Sequence, residues 1–120
     1  MLGMEMKKHT YKVRPGYGSE KLLIEFGPDS SDKHFISDLK SVFAENNLIP
    51  KSTQDLIFSW LTTFDSPCGP LEVDNDEWGF VFVHAGENQD AINYMDRILS
   101  GSGLFQKEEV NYEDYAQPKK

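Results

Sequence analysis

Four carboxylates stand close together in the second half of the chain, and clustered carboxylates could hold a hard cation such as calcium or magnesium. They are Glu72, Asp74, Asp76 and Glu77. The order of residues after Asp74 follows a calcium-binding loop only in part, because Trp78 stands where an oxygen ligand belongs and Ala85 where a glutamate belongs. We therefore expect no metal, but a solvated acidic hairpin whose carboxylates contact a partner.

A single thiol and three histidines are the other side chains with reactive chemistry. Cys68 with His9, His34 or His84 as a base could act as a nucleophile. No flanking signature accompanies Cys68, and the scattered histidines lack the spacing of zinc ligands. The sequence therefore favours an ordinary thiol, no cofactor and a protein that is not an enzyme.

The charge of the chain indicates which partners it attracts. Twelve basic and 20 acidic residues give a net charge of −8 with neutral histidines, so nucleic acid and anionic membranes would be repelled. Residues 1 to 21 carry five basic and two acidic side chains, which leaves −11 on the remaining 99 residues. A basic protein, or a basic patch on a second copy, would be attracted to that acidic body.

The length of 120 residues, of which 38% are hydrophobic, predicts a single domain spanning residues 1 to 120. The lone cysteine excludes an intramolecular disulfide and fits a reducing compartment, so we expect the protein in the cytoplasm. Residues 1 to 8 and 113 to 120 are expected to be flexible.

Hydrophobic periodicity predicts the elements that position these residues. An i, i+1, i+4, i+7, i+8 apolar stripe predicts helices over residues 31 to 46 and 88 to 100, and asparagines at the end of the first suit a left-handed C-terminus. Strand patterns cover residues 9 to 14, 21 to 26, 69 to 74, 78 to 84 and 104 to 112, of which the first two form a hairpin. Residues 56 to 64 fit a helix or a strand, and their aromatic and branched side chains favour the strand.

This order predicts an α+β fold with a mostly antiparallel sheet and two helices packed on one face. Apart from an extra N-terminal strand and a meander strand, the order is the ferredoxin-like β-α-β-β-α-β arrangement. Strands 56 to 64 and 78 to 84 carry apolar side chains on both faces, so we expect the second face of the sheet to be covered by another copy of the chain.

Two functional hypotheses follow from these patterns. The first is a non-enzymatic protein-binding module that forms a homodimer and, in a sharper form, acts as an acidic inhibitor of a basic partner. Its expected contacts are the carboxylates named above together with Trp60 and Trp78. The alternative is a small-molecule-binding protein or modest enzyme whose pocket lies near Trp60, Trp78 and His84, with Cys68 at its mouth.

Overall fold

A computed structural model of the chain describes residues 9–27, 33–55, 60–75 and 80–115. Its strands are β1 His9–Pro15, β2 Leu22–Phe26, β3 Ile49–Asp55, β4 Trp60–Ser66, β5 Gly69–Asn75, β6 Val81–His84 and β7 Phe105–Lys107. The helices are α1 Lys33–Glu45 and α2 Gln89–Gly101, and a 3-10 helix, Tyr112–Tyr115, follows β7. The predicted α+β class is confirmed. The expectations for residues 1 to 8 and for the tail beyond residue 115 lie outside the described residues.

The strands form one seven-stranded sheet in the order β3-β4-β5-β6-β2-β1-β7. Neighbouring strands are antiparallel, except that β7 runs parallel to β1. The predicted mostly antiparallel sheet and N-terminal hairpin are therefore confirmed, with Val13 opposite Ile24. The ferredoxin-like order is not confirmed, and the seven strands go beyond that simple arrangement.

Strand β3 was not predicted from the sequence, and it forms one edge of the sheet. Its large apolar residue, Ile49, is 62% exposed, so the sequence lacks the alternating apolar pattern that would have predicted this strand. The pairing register shifts between Pro50 and Ser52, and Lys51 lies 3.5 Å from the carboxylate of Asp65 on β4. A proline without an N–H, a lysine and a bulge are features that discourage an edge from pairing with another chain.

The segment that fitted both a helix and a strand is a strand where it is described, because β4 begins at Trp60 and pairs with β3 and β5. Residues 56 to 59 lie outside the described part of the chain. The last strand is shorter than predicted, since β7 ends at Lys107 instead of residue 112. The four residues after Phe105, Gln106 to Glu109, are polar and exposed, so burial does not extend the strand there. The chain then enters the 3-10 helix, which includes the first residues of the segment expected to be flexible.

The core consists of the strand side chains that project from one face of the sheet, together with residues of both helices. In the central strands Val83, Ile24 and Phe26 are fully buried, and Val81 is 2% exposed. Both helices contribute their predicted stripes. The buried members are Phe35, Leu39, Val42 and Phe43 of α1 and Ala91, Ile92, Met95 and Leu99 of α2, and the remaining members, Ile36 and Ile98, are partly buried against them. Helix α1 is followed by Asn47 in the left-handed conformation, φ 61°, as the sequence predicted. Neither helix within the described ranges combines the length and apolar character needed to cross a membrane.

Specific contacts fasten each helix to the sheet. The Phe35 ring of α1 lies 5.2 Å from that of Phe26 and 6.1 Å from that of Phe105. Helix α2 is held by Tyr11, whose hydroxyl donates to the carboxylate of Asp96 at 2.8 Å. Burial, and then the hydrogen bond to Asp96, raise the pKa of Tyr11 well above its ordinary value of 10.0.

Replacing Tyr11 with Phe tests this contact. The variant is expected to lose about 1 to 2 kcal/mol of unfolding free energy at pH 7, because a partly buried hydrogen bond to a charged group is removed. The unfolded chain loses its phenolic proton near pH 10 while folded Tyr11 keeps it, so stability falls as the pH rises above about 10. That alkaline decline should be shallower in Tyr11→Phe. Urea unfolding between pH 7 and 11 measures both effects.

Tyr112→Phe is the matched control, because Tyr112 is 49% exposed. It should change the unfolding free energy by less than about 0.5 kcal/mol. Equal stabilities of the Tyr11 variant and the unmodified chain at pH 7, or identical alkaline slopes, would contradict the assigned role of Tyr11.

Candidate functional site

The side chains that alternate with the core residues project from the other side of the sheet, which we call the outer face. On β6 these are Phe82 and His84, and on β5 they are Glu72 and Asp74. The register sets Glu72 directly opposite His84 and Asp74 directly opposite Phe82. We call this group of four, Glu72, Asp74, Phe82 and His84, the acidic-aromatic surface.

The acidic-aromatic surface is partly exposed and carries negative charge. The Asp74 carboxylate lies 3.5 Å from Nε2 of His84, and the two side chains are 36% and 39% exposed. The Phe82 ring lies 5.9 Å from that of His84 and 6.4 Å from that of Phe80. Glu72 is exposed, and no lysine or arginine of the described ranges lies within ion-pair distance of it. The surface thus joins two carboxylates, of which Glu72 has no lysine or arginine partner in the described ranges, to half-buried aromatic rings.

A buried ion pair lies beside this surface on β1 and β2. Arg14 is 6% exposed, and its Nε donates to Glu25 at 2.7 Å. The rings of Tyr17 and Tyr115 lie 5.3 and 4.8 Å from the guanidinium carbon, within the range of cation–π attraction. The arginine charge is therefore neutralised by Glu25 and covered by two aromatic rings.

The 3-10 helix is what brings Tyr115 onto the arginine. The backbone N–H of Gly18 donates to the carbonyl of Tyr115 at 2.8 Å, and Gly18 has φ 70°, a conformation that favours glycine. The rings of Tyr17 and Tyr115 lie 5.1 Å apart. Over β1, the outer face is thus covered by this chain's own C-terminal segment.

An open cleft of about 340 Å³ separates the covered part of the outer face from the acidic-aromatic surface. Its walls are Arg14, Gly16, Tyr17, Leu23, Asp74, Asn75, Phe82 and His84. Because one wall carries the Asp74 carboxylate and the Phe82 ring, the cleft can receive a basic side chain of a partner.

The structure brings together some of the predicted site residues and separates others. Glu72, Asp74 and His84 share the acidic-aromatic surface. Cys68 lies instead in the turn between β4 and β5, where its carbonyl accepts from Asn88 Nδ2 at 2.8 Å, and it does not line the cleft beside His84. Trp60 begins β4. Asp76, Glu77 and Trp78 lie outside the described residues, so the contacts predicted for them stay predictions.

Sequence reasoning missed the Arg14 ion pair, although a signal for it was present. Arg14 and Glu25 alternate with the apolar residues of a predicted hairpin, which places both on its polar side. The sequence around Arg14 does not indicate that Tyr115 would cover it, because that contact joins distant parts of the chain.

Within the described ranges, no three histidine, cysteine, aspartate or glutamate side chains are grouped as metal ligands. Comparisons of the chain with models of protein families, with curated proteins and with solved structures gave no match.

Replacing Glu25 with Gln should lower the unfolding free energy by about 3 kcal/mol, because it leaves the buried Arg14 charge without its counter-ion. Glu108→Gln is the control, since Glu108 pairs with Lys12, the other outward cation of β1, at 3.4 Å in an exposed setting. Its cost should not exceed about 0.5 kcal/mol. Urea unfolding at pH 7 measures the unfolding free energy of both variants. Equal decreases in that free energy would contradict a dominant role for the buried Arg14–Glu25 ion pair.

Proposed function

We propose that this chain is a protein-binding module that recognises a basic partner protein through the acidic-aromatic surface. The observation that carries the proposal is the register of β5 on β6, which sets Glu72 and Asp74 beside Phe82 and His84. Aromatic anchors flanked by charges are a common composition of protein interfaces, in which a few large side chains supply most of the binding energy.

The chemistry of the cleft favours lysine or arginine as the partner residue that enters it. Such a side chain would lay its apolar stem against Phe82, and its charged end would pair with Asp74. Since Arg14 is already paired with Glu25 and covered by rings, its charge does not oppose this entry as an exposed arginine would. The net charge of −8 acts in the same direction by attracting basic proteins over a longer range.

Self-association is the other form of protein binding that the sequence predicts. A two-fold dimer through the acidic-aromatic surface would bring carboxylates of the two copies together, which is unfavourable. Three described cations of the N-terminal hairpin already have internal partners, because Arg14 pairs with Glu25, Lys12 with Glu108 and Lys21 with Glu87. Charge therefore supports a basic partner over a second copy, and blocking a basic functional surface is the action that suits such a module.

The small-molecule alternative, with a pocket near Trp60, Trp78 and His84, has less support. The cleft beside His84 is open, and its volume of about 340 Å³ is close to the lower end of the range for ligand pockets, about 300 to 1,000 Å³.

The proposal is tested by capture followed by reconstitution. Immobilised chain should retain a protein of basic isoelectric point from a lysate of its source at low salt. That protein, once purified, should bind with an affinity that falls as salt is raised, because screening weakens exposed charge pairs. The double variant Glu72→Gln/Asp74→Asn should bind at least about tenfold more weakly, since two charge pairs of the interface are lost.

Glu45→Gln/Glu109→Gln is the matched control, which removes the same net charge from two exposed positions away from the surface. It should change the affinity by less than about twofold. Equal weakening by the two double variants would mean that net charge and not this surface drives binding. A purified partner that binds independently of salt, or failure to retain any basic protein, would refute the proposal.

Sedimentation velocity at micromolar concentration separates the two forms of protein binding. The basic-partner proposal expects the isolated chain to sediment as a species of 13.7 kDa. A stable dimer at low salt that Glu72→Gln/Asp74→Asn weakens would instead assign the acidic-aromatic surface to a second copy.

A further inference from the structure

A second, larger cavity lies on the opposite side of the sheet, between α1 and strands β3 to β5. It has a volume of about 640 Å³, and its apolar walls include Ile36, Leu39, Phe43, Leu48, Phe64 and Val73. Protein interiors are normally packed with few voids larger than a water molecule. A recess of this size is in the range of small-molecule sites, which run from about 300 to 1,000 Å³.

Four of the described apolar side chains that line the cavity are buried. The Phe43 ring of α1 meets the Phe64 ring of β4 edge to face at 4.8 Å. Leu39, Phe43 and Leu48 are each 4% exposed, and Val73 is 1% exposed. An apolar body placed against these side chains would therefore be removed from water.

The polar groups of the described walls indicate the chemistry of the occupant. They are the side chains of Lys40 and Thr62. Lys40 lies one helical turn after Ile36 and one turn before Ala44, so it stands on the cavity side of α1. Lys40 is exposed, and within the described ranges no carboxylate pairs with it. The recess is thus apolar inside with one uncompensated cation at its rim.

We propose that this cavity binds an apolar monocarboxylic acid, with the hydrocarbon chain inside and the carboxylate at Lys40. The volume would hold roughly twenty non-hydrogen atoms if each takes about 30 Å³, the share of a water molecule in the liquid. That size matches a medium- to long-chain fatty acid. The cavity is separate from the acidic-aromatic surface. None of its described lining residues also lines the cleft beside that surface.

Titration of the delipidated full chain with decanoate and with decanol tests the assignment. Decanoate should bind saturably, one molecule per chain, with NMR contacts from its methylenes to Leu39, Phe64 and Val73. Lys40→Gln should weaken decanoate about fivefold, the effect of one partly exposed ion pair, and leave decanol unchanged. Arg97→Gln, which removes an exposed cation from α2, is the control and should alter neither affinity.

A second variant tests the cavity itself. Ala44→Trp adds a large side chain at an exposed helix position that lines the cavity, so it should abolish binding of both ligands while the chain stays folded. Equal decanoate affinities of Lys40→Gln and the unmodified chain would overturn the carboxylate assignment. The site itself would be overturned if decanoate did not bind saturably, or if its NMR contacts were confined to the outer face. A dimer with intermolecular NMR contacts at Phe64 and no decanoate binding would also overturn it.

Discussion

The two-residue period of the central strand β6 governs the arrangement of the whole molecule. Its valines, Val81 and Val83, are buried in the core, so Phe82 and His84 must project from the outer face. A shift of one residue in the pairing of β6 would exchange the two sets and bury a histidine in the core. The same register decides which carboxylates of β5 stand opposite the aromatic rings, and the proposed partner surface depends on it.

The two faces of the sheet offer different chemistry. The inner face holds the apolar core side chains and borders the cavity beneath α1, where burial of hydrocarbon would supply the proposed binding energy. The outer face holds charges whose effect depends on their partners. Arg14 is locked to Glu25 and covered by rings, whereas Glu72 has no lysine or arginine partner in the described ranges. The proposed contact at the outer face would therefore depend on salt more strongly than the proposed contact in the cavity.

Periodicity was sufficient to predict the parts of the fold in which apolar residues mark the buried side. Helices α1 and α2 and the N-terminal hairpin are of this kind, and the left-handed Asn47 followed from side-chain chemistry alone. Strand β3 escaped prediction because Ile49 is exposed and the remaining residues are polar or proline. The last strand was predicted too long because the four residues after Phe105 are polar and exposed, so burial does not carry the strand on to Val110 and Tyr112.

The candidate site was predictable only in its composition. Glu72, Asp74 and His84 were recognised from their types and spacing, but their juxtaposition depends on pairing between strands, which a single sequence does not specify. The cavity beneath α1 left no trace in the sequence, because an amphipathic stripe is the same whether its helix packs tightly or leaves a recess. The covering of Arg14 by Tyr115 likewise depends on a contact between the ends of the described chain.

The open edge at β3 has a consequence for the behaviour of the protein at high concentration. Exposed strand edges are the templates on which chains add to one another in fibrous aggregates. Here Pro50 offers no N–H to an incoming strand, and the pairing register shifts beside Lys51, which interrupts the regular ladder that stacking needs. This edge should therefore resist the addition of an eighth strand even when the protein is concentrated.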